Sequence, residues 1–274
     1  MIQSNPLFIP IRQNLMLTKN LWLITMPLYL IGAFAGYMFF AEFEIYKLVM
    51  FVLGYFFFNV IGITAGFHRY FSHKSFRVSK WKERLMMVAG TLAAQGPVIY
   101  WVALHRGYHH RHSDTHEDPH SPIHGVWHSF ILWMFRLGPD SISLKSSVDL
   151  LRNQEAMWLS KNYGKVVLGF WVVCAIISID LFLFGVMLPS LVSLLTYNTT
   201  NTVTHMRSMG YTNFTTKDQS TNIPWLWPFV LGECWHNNHH AKPGTYHYGS
   251  GTSGKWWELD PCGTFIKVFK DGDR

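Results

Sequence analysis

Histidine carries the first chemical signal in this 274-residue chain. Residues 101–120, WVALHRGYHHRHSDTHEDPH, hold six of its 15 histidines. Three tight clusters stand out: HRYFSH with His68 and His73, HRGYHH with His105, His109 and His110, and HNNHH with His236, His239 and His240. A thinner fourth, NTVTH, sets Asn201 and His205 one helical turn apart. Neutral imidazole is a good ligand for zinc, iron, copper and nickel. Helical residues three or four apart are neighbours, about 5–6 Å between Cβ atoms. That spacing predicts a shared face for His105 and His109, and another for His236, His239 and His240. The three clusters and His205 together supply nine imidazoles. A mononuclear zinc site takes four protein ligands or fewer, so nine suit two ions, with positions left open for water, oxygen or a bridging group. Such a set points to redox chemistry with O2 rather than to a closed structural site.

The remaining histidines read differently, because a lone histidine is more often a hydrogen-bonded polar residue than a ligand. His128 and His247 stand alone. His112, His116, His120 and His124 repeat every four residues, but Pro119 and Pro122 preclude one helix through them. These six are expected to be polar neighbours. Ligand histidines need acceptors on their other ring nitrogen; Asp114, Glu117, Asp118 and Glu233 are close enough in sequence to serve.

The elements that must position these clusters are apolar. Hydrophobic residues make up 49% of the chain and charged residues 14%, well below the roughly 25% charged of a soluble domain. Four runs read as transmembrane helices at about 21–41, 47–66, 166–187 and 189–206, each apolar over most of a hydrocarbon core of about 30 Å. The fourth begins Leu/Val-rich and ends in Thr, Asn and His, so its last turns must face protein or a polar site. Residues 85–104, interrupted by Gln95-Gly96-Pro97, read as a buried or interfacial element. Residues 126–138 read as an interfacial helix anchored by Trp127, Trp133 and Arg136. Positive residues flank the spans at Arg12, Lys19, Arg69 to Arg84, Arg152 to Lys165 and Arg207, which places both termini and residues 67–165 and 207–274 in the cytoplasm. All four histidine clusters then meet on that face. The expectation is a single integral-membrane domain over 1–274: an all-α membrane protein of four transmembrane helices, with a cytoplasmic histidine-rich helical cap holding a dimetal site. The net charge of +7 suits an acidic membrane surface, and nucleic acid is not an expected partner. Three scattered cysteines, Cys174, Cys234 and Cys262, form no zinc or disulfide pattern. The first 20 residues, broken by Pro6, Pro10, Arg12 and Lys19, do not read as a signal peptide.

GFHRYFSHKSF, HRGYHH, DPHSP and GECWHNNHHAKP, in this order and with four spans around them, resemble the membrane fatty acid desaturases, in particular their delta-9 acyl-CoA desaturase-like branch. The resemblance covers roughly residues 20–245. It implies a diiron centre held by His68, His73, His105, His109, His110, His205, His236, His239 and His240, with Asn201 holding a water beside one iron. It implies O2-dependent insertion of a double bond into a saturated acyl chain carried on CoA, acyl carrier protein or lipid. Electrons would come from an external donor of ferredoxin, rubredoxin or cytochrome b5 type, since the chain contains no His-Pro-Gly-Gly haem motif. Arg69, Lys74 and Arg77, beside the first cluster, are candidates for the anionic head of the acyl carrier. The chain departs from the family pattern at Cys234, where glycine is usual, and at Ala103-Leu104, where animal acyl-CoA members carry Arg-Asp. Related outcomes on the same scaffold are hydroxylation, acetylene formation and terminal-alkene formation. A non-catalytic membrane metal binder would need a polar path across the bilayer, and the first two spans have no ionisable residue at their centres.

Overall fold

The computed structural model describes residues 21–137 and 142–273; Arg12 and Lys19, used in the topology reading, and Gly138, the last residue of the expected interfacial helix, lie outside them. The chain is helical, with three helices long and apolar enough to cross a membrane and a fourth candidate in a bent pair. α1 (Leu21–Ala41) carries no charge. A short turn leads to the continuous 28-residue α2 (Ile45–Ser72). Lys47, in its first turn, is buried, but its Nζ reaches the Glu42 carbonyl at 2.7 Å, so the charge ends at the helix terminus rather than in the apolar layer.

α3 (Lys80–Leu92) packs back along α2. The contact is made by small residues. Gly62 and Gly66 form a small-xxx-small stripe on α2, and a Cβ on Gly62 would stand 2.6 Å from the backbone of Ala89 and Gly90. Backbones approach this closely only where side chains are absent. α4 (98–112) follows a break in which Ala94 and Gly96 take positive φ, and all of Val98–Leu104 is buried. Residues 85–104 therefore do not cross as one helix. α5 (126–136) exposes Trp127 (71%), but Trp133 is only 8% exposed and packs on the His120 ring. Trp133 is thus a core residue and not the surface anchor its sequence context suggested.

α6 (Gln154–Lys161) and α7 (Tyr163–Ile177) meet at a 70° bend. The turn into the last span falls at Ser178, which is extended (φ −164°, ψ 133°); its hydroxyl accepts the Leu181 amide at 3.3 Å. α8 (Leu181–Val203) then runs unbroken through Pro189. The expected turn at Pro189 is corrected on this point. Turns wound i→i+5 over Leu181–Met187 precede the proline, and such local rewinding accommodates the missing amide. Ser178-Ile179-Asp180 is a helix-start signal in its own right.

The C-terminal third folds over the C-terminal ends of α2 and α8. It includes α9 (His236–Ala241) and α10 (Pro261–Phe269). A two-stranded antiparallel pair, β1 (Phe76–Arg77) with β2 (Gly272–Asp273), ties the end of the chain to the exit of α2.

Candidate metal centre

All nine histidines of the clusters converge at one end of the helix bundle, and they divide into two groups. His68, His73, His105, His110 and His239 bring one ring nitrogen each within 4.8 Å of one another; His109, His205, His236 and His240 do the same. α2 delivers His68, with His73 just past its end, α4 delivers His105, His109 and His110, and α9 delivers His236, His239 and His240. His205 lies just beyond the end of α8.

The division does not follow the expected i,i+4 pairing of His105 with His109. His105 joins His110, and His109 joins the other group. Helix winding gives the reason. In an α-helix of 3.6 residues per turn, residues five apart point roughly 140° apart. α2 is wound i→i+5 over Phe56–Ser72, and α4 over His105–His109. The His73 amide bonds the His68 carbonyl at 3.1 Å, and the His110 amide bonds that of His105. One such turn spans five residues and returns each pair to one face. His109, one position short, points to the neighbouring group. α9 is wound normally: His236 and His240, four apart, share a group, while His239 joins the other.

Nε2 atoms face one another at 2.8 Å for His73–His105 and His110–His239, and at 3.1 Å for His68–His239, His236–His205 and His240–His236. In several of these rings the other nitrogen is committed. His68 Nδ1 meets Glu233 at 2.7 Å, His240 Nδ1 meets Asp218 at 2.8 Å, and His109 and His205 meet Asp118 and Asp114 at 3.1 Å each. Each Nδ1–H donates to its carboxylate, so Nε2 presents a lone pair. Lone pairs aimed at each other inside a protein repel unless a cation lies between them. With metal–nitrogen bonds of about 2.1 Å, neighbouring ligands of a six-coordinate ion are about 3.0 Å apart, which is the spacing found. His109 Nε2 is buried without a hydrogen-bond partner. The residues fit two adjacent metal ions.

Three of the four expected carboxylates take this role. Glu117 does not: it pairs with His112 at 2.8 Å, and both are off the centre. Asp218 was missed because it lies 22 residues from His240 in a polar loop with no pattern around it. His120, expected to be a polar neighbour rather than a ligand, is buried, stands 3.2 Å from Asp118 and has its ring 4.9 Å from that of His109. Of the three cations assigned to a head group, Lys74 pairs with exposed Asp149 at 2.9 Å and Arg77 is exposed. Arg69 is corrected: it is 0% exposed and fully engaged by Glu233 and Asp260. Asn201 is buried and lines a narrow cavity with Ile63, Thr200 and Val230, which reaches His68, His105 and His236. Tyr197, at the same wall, lies 3.5 Å from His105 Nδ1.

Burial and the neighbouring imidazoles push His105, His110, His236 and His239 well below the usual histidine range. His240 and His120 fall to about 4 from the same leading cause, burial. Burial by itself would raise the Asp118 and Asp218 carboxyls, but their histidine partners hold both low. A histidine depressed in the folded state leaves the unfolded chain to bind protons first. Stability is therefore complete above about pH 6.5, the free-histidine value, and declines as pH falls toward 4. Metal-stripped protein is expected to lose several degrees of melting temperature between pH 7.5 and 5, measured by thermal unfolding in detergent. A flat profile would contradict the neutral, proton-poor cluster described here.

Residues 45–251 match the family described as Fatty acid desaturase. The chain is 34% identical over 223 residues to "Delta-9 acyl-lipid desaturase 2" of Arabidopsis thaliana, covering 77% of this chain and 67% of that protein. It is 35% identical over 204 residues to "sn-1 stearoyl-lipid 9-desaturase" of Anabaena variabilis, covering 73% and 72%. It is 36% identical over 210 residues to "sn-2 palmitoyl-lipid 9-desaturase" of Nostoc sp. (strain 36), covering 74% and 71%. Two neighbouring groups of buried and half-buried histidines in a helical, apolar chain, together with these matches, show that the chain belongs to the fatty acid desaturase family.

Proposed function

We propose that this fatty acyl desaturase acts at the ninth carbon of a saturated chain esterified to a membrane lipid, using two irons held by its nine clustered histidines. The convergence of Nε2 atoms at 2.8–3.1 Å in two groups carries this reading. One iron falls to His68, His73, His105, His110 and His239, the other to His109, His205, His236 and His240. Asn201 would complete the second set through a water. The names of the relatives, which specify lipid-linked substrates and the 9-position, support the choice of lipid over CoA or acyl carrier protein.

An unactivated methylene offers no acidic proton, so side-chain acid/base chemistry cannot remove its hydrogens. When bound, the irons supply the O2 chemistry that can, and that chemistry belongs to the cofactor. Overall, two hydrogens leave the chain and O2 becomes two waters, with two electrons from a separate electron-transfer protein and two protons from solvent. The protein's share is to hold the ligands, orient the chain and exclude water. Glu233, Asp114, Asp118 and Asp218 fix the imidazole rings. Two narrow cavities that share the wall residue Tyr197, one past Ile63, Val230 and Thr200 and one beside Trp101, would open together to hold the acyl chain. Lys74 and Arg77 would face the lipid head group. The cap of residues 67–165 and 207–274, with both termini, is assigned to the cytoplasm from the positive residues that flank the spans.

Expression in a host that lacks the 9-monounsaturated acids tests the reading. Gas chromatography with mass spectrometry is expected to find a new 9-double bond in the membrane lipids. Hydroxy or acetylenic products, or a bond at another position, would overturn it.

A further inference from the structure

Behind His68 lies a buried charge network whose outermost member lies past residue 251, where the match to the family model ends. Arg69 is the central member and Asp260 the outermost. The Arg69 Nε and Nη2 donate to Glu233 Oε1 at 3.0 and 2.7 Å. Its Nη1 and Nη2 donate to the two oxygens of Asp260 at 2.7 and 3.2 Å. Nη1 also reaches the Tyr246 carbonyl at 2.7 Å. The other oxygen of Glu233 takes His68 Nδ1 at 2.7 Å. Asp260 is itself pinned by the amides of Tyr248 at 2.7 Å and Gly263 at 2.8 Å, the second contact capping the N-terminus of α10. A Cβ on Gly232 would stand 2.1 Å from Asp260 Oδ1. Only glycine lets the turn carrying Glu233 approach so closely, and Gly232 also has φ +109°.

A second contact leads from the same guanidinium to the same group of histidines. Arg69 stacks on the Tyr248 ring at 4.0 Å, and that ring lies 4.3 Å from the ring of His239. His68 and His239 face each other through Nε2 at 3.1 Å.

We propose that Asp260 is a positioning residue for the iron held by His68 and His239, acting through Arg69, Glu233 and Tyr248. The charges give the reason. One guanidinium stands between two carboxylates, so the trio carries one net negative charge. With Asp260 present, Arg69 is shared, and Glu233 keeps enough negative charge to polarise the Nδ1–H of His68. That makes His68 a stronger ligand. Without Asp260, the whole guanidinium charge falls on Glu233, and the acceptor behind His68 weakens. The bidentate forks also fix where Glu233 points, and hence the plane of the His68 ring. No counterpart of this network backs the second group, whose carboxylates Asp114, Asp118 and Asp218 make no ion pair with a lysine or arginine among the described residues.

The proposal rests on the reading that His68 holds iron, and the test separates the two. Full-length protein is loaded with iron-57 in detergent, and bound iron, chelator release and Mössbauer spectra are compared. His68→Ala is expected to lose one iron; retention of both would overturn the reading of the site itself. Asp260→Asn is expected to keep its fold and lose about 10- to 100-fold in affinity at one iron, with one of two Mössbauer components altered and the other unchanged. Asp260→Glu, which keeps the charge, is expected to recover most of the loss. A purely structural staple would lower the melting temperature and leave both components as in wild type, which overturns the proposal. Should Asp260→Asn fail to accumulate, Arg69→Met/Asp260→Leu removes both charges and leaves less buried charge unpaired. Glu233 then keeps its full charge but loses the forks that fix its direction, so the altered Mössbauer component is again expected to be that of the iron held by His68 and His239 alone, and two wild-type components would refute the proposal.

Discussion

His109→Ala is expected to abolish desaturation, lowering product by at least about 1000-fold, since several kcal/mol of metal-ion catalysis depend on the ligand set. His109 belongs to the second group and also touches the first. Its ring lies 5.3 Å from that of His105 and 5.5 Å from that of His110 on one side, and 4.8 Å from His205 and 5.1 Å from His240 on the other. Its Nδ1 is held by Asp118, and its Nε2 is buried with no hydrogen-bond partner. Alanine leaves a void in the second group and strips Asp118 of one partner. The nearby His112 supplies the contrast. It is half-buried, pairs with exposed Glu117, and belongs to neither group. His112→Ala is expected to stay within about twofold of wild type, as surface changes usually do. Lipid profiles of the two variants at matched expression decide the matter. Persistent double bonds in His109→Ala would sink the assignment of the centre.

Gly62→Ala is expected to cost about 3 kcal/mol or more, the upper range for overpacking, and to reduce the yield of folded protein. The new methyl would meet the carbonyl carbon of Ala89 and the amide nitrogen of Gly90 at 2.6 Å, and the Ala89 oxygen at 2.8 Å. These are backbone atoms and cannot rotate away. Relief requires α3 to move off α2. Phe67 would move with that crossing: the site of a Cβ on Gly90 is 2.3 Å from the Phe67 ring. Phe67 is fully buried and precedes His68, so a shift here propagates to the first group. Gly169, whose Cβ would meet nothing within 4 Å, is the control, and Gly169→Ala is expected to be neutral or slightly stabilising. Thermal unfolding in detergent, with iron content per chain, measures both. Equal stability for the two variants would contradict the close crossing of α2 and α3.

Most of the centre is legible in the sequence because ligand chemistry restricts residue type. The nine histidines and Asn201 can be named from clusters and from the polar end of an apolar span. Their partition cannot. It depends on i→i+5 winding at 56–72 and 105–109, and nothing in HRYFSH or HRGYHH announces that winding. An i,i+4 rule therefore pairs His105 with His109, whereas the structure pairs it with His110. Arg69 shows a second limit. A cation after a hydrophobic run reads as a surface charge, and only the fold reveals Asp260, 191 residues away, across from it. Asp218 is the same case, since its role exists only once its loop folds over His240. The turn at Ser178 was readable: Ser-Ile-Asp before an apolar run is a helix start, yet Pro189 gave the more conspicuous signal. Spans one and two follow from composition because hydrocarbon leaves the backbone few alternatives to helix.

The number of irons bound per chain tests the account most directly. Wild-type protein, purified with iron and measured by elemental analysis with Mössbauer spectroscopy, is expected to hold two irons in nitrogen-rich, six-coordinate environments, with His68→Ala and His109→Ala each losing one. A single iron in active wild-type protein, or full desaturase activity without iron, would contradict it.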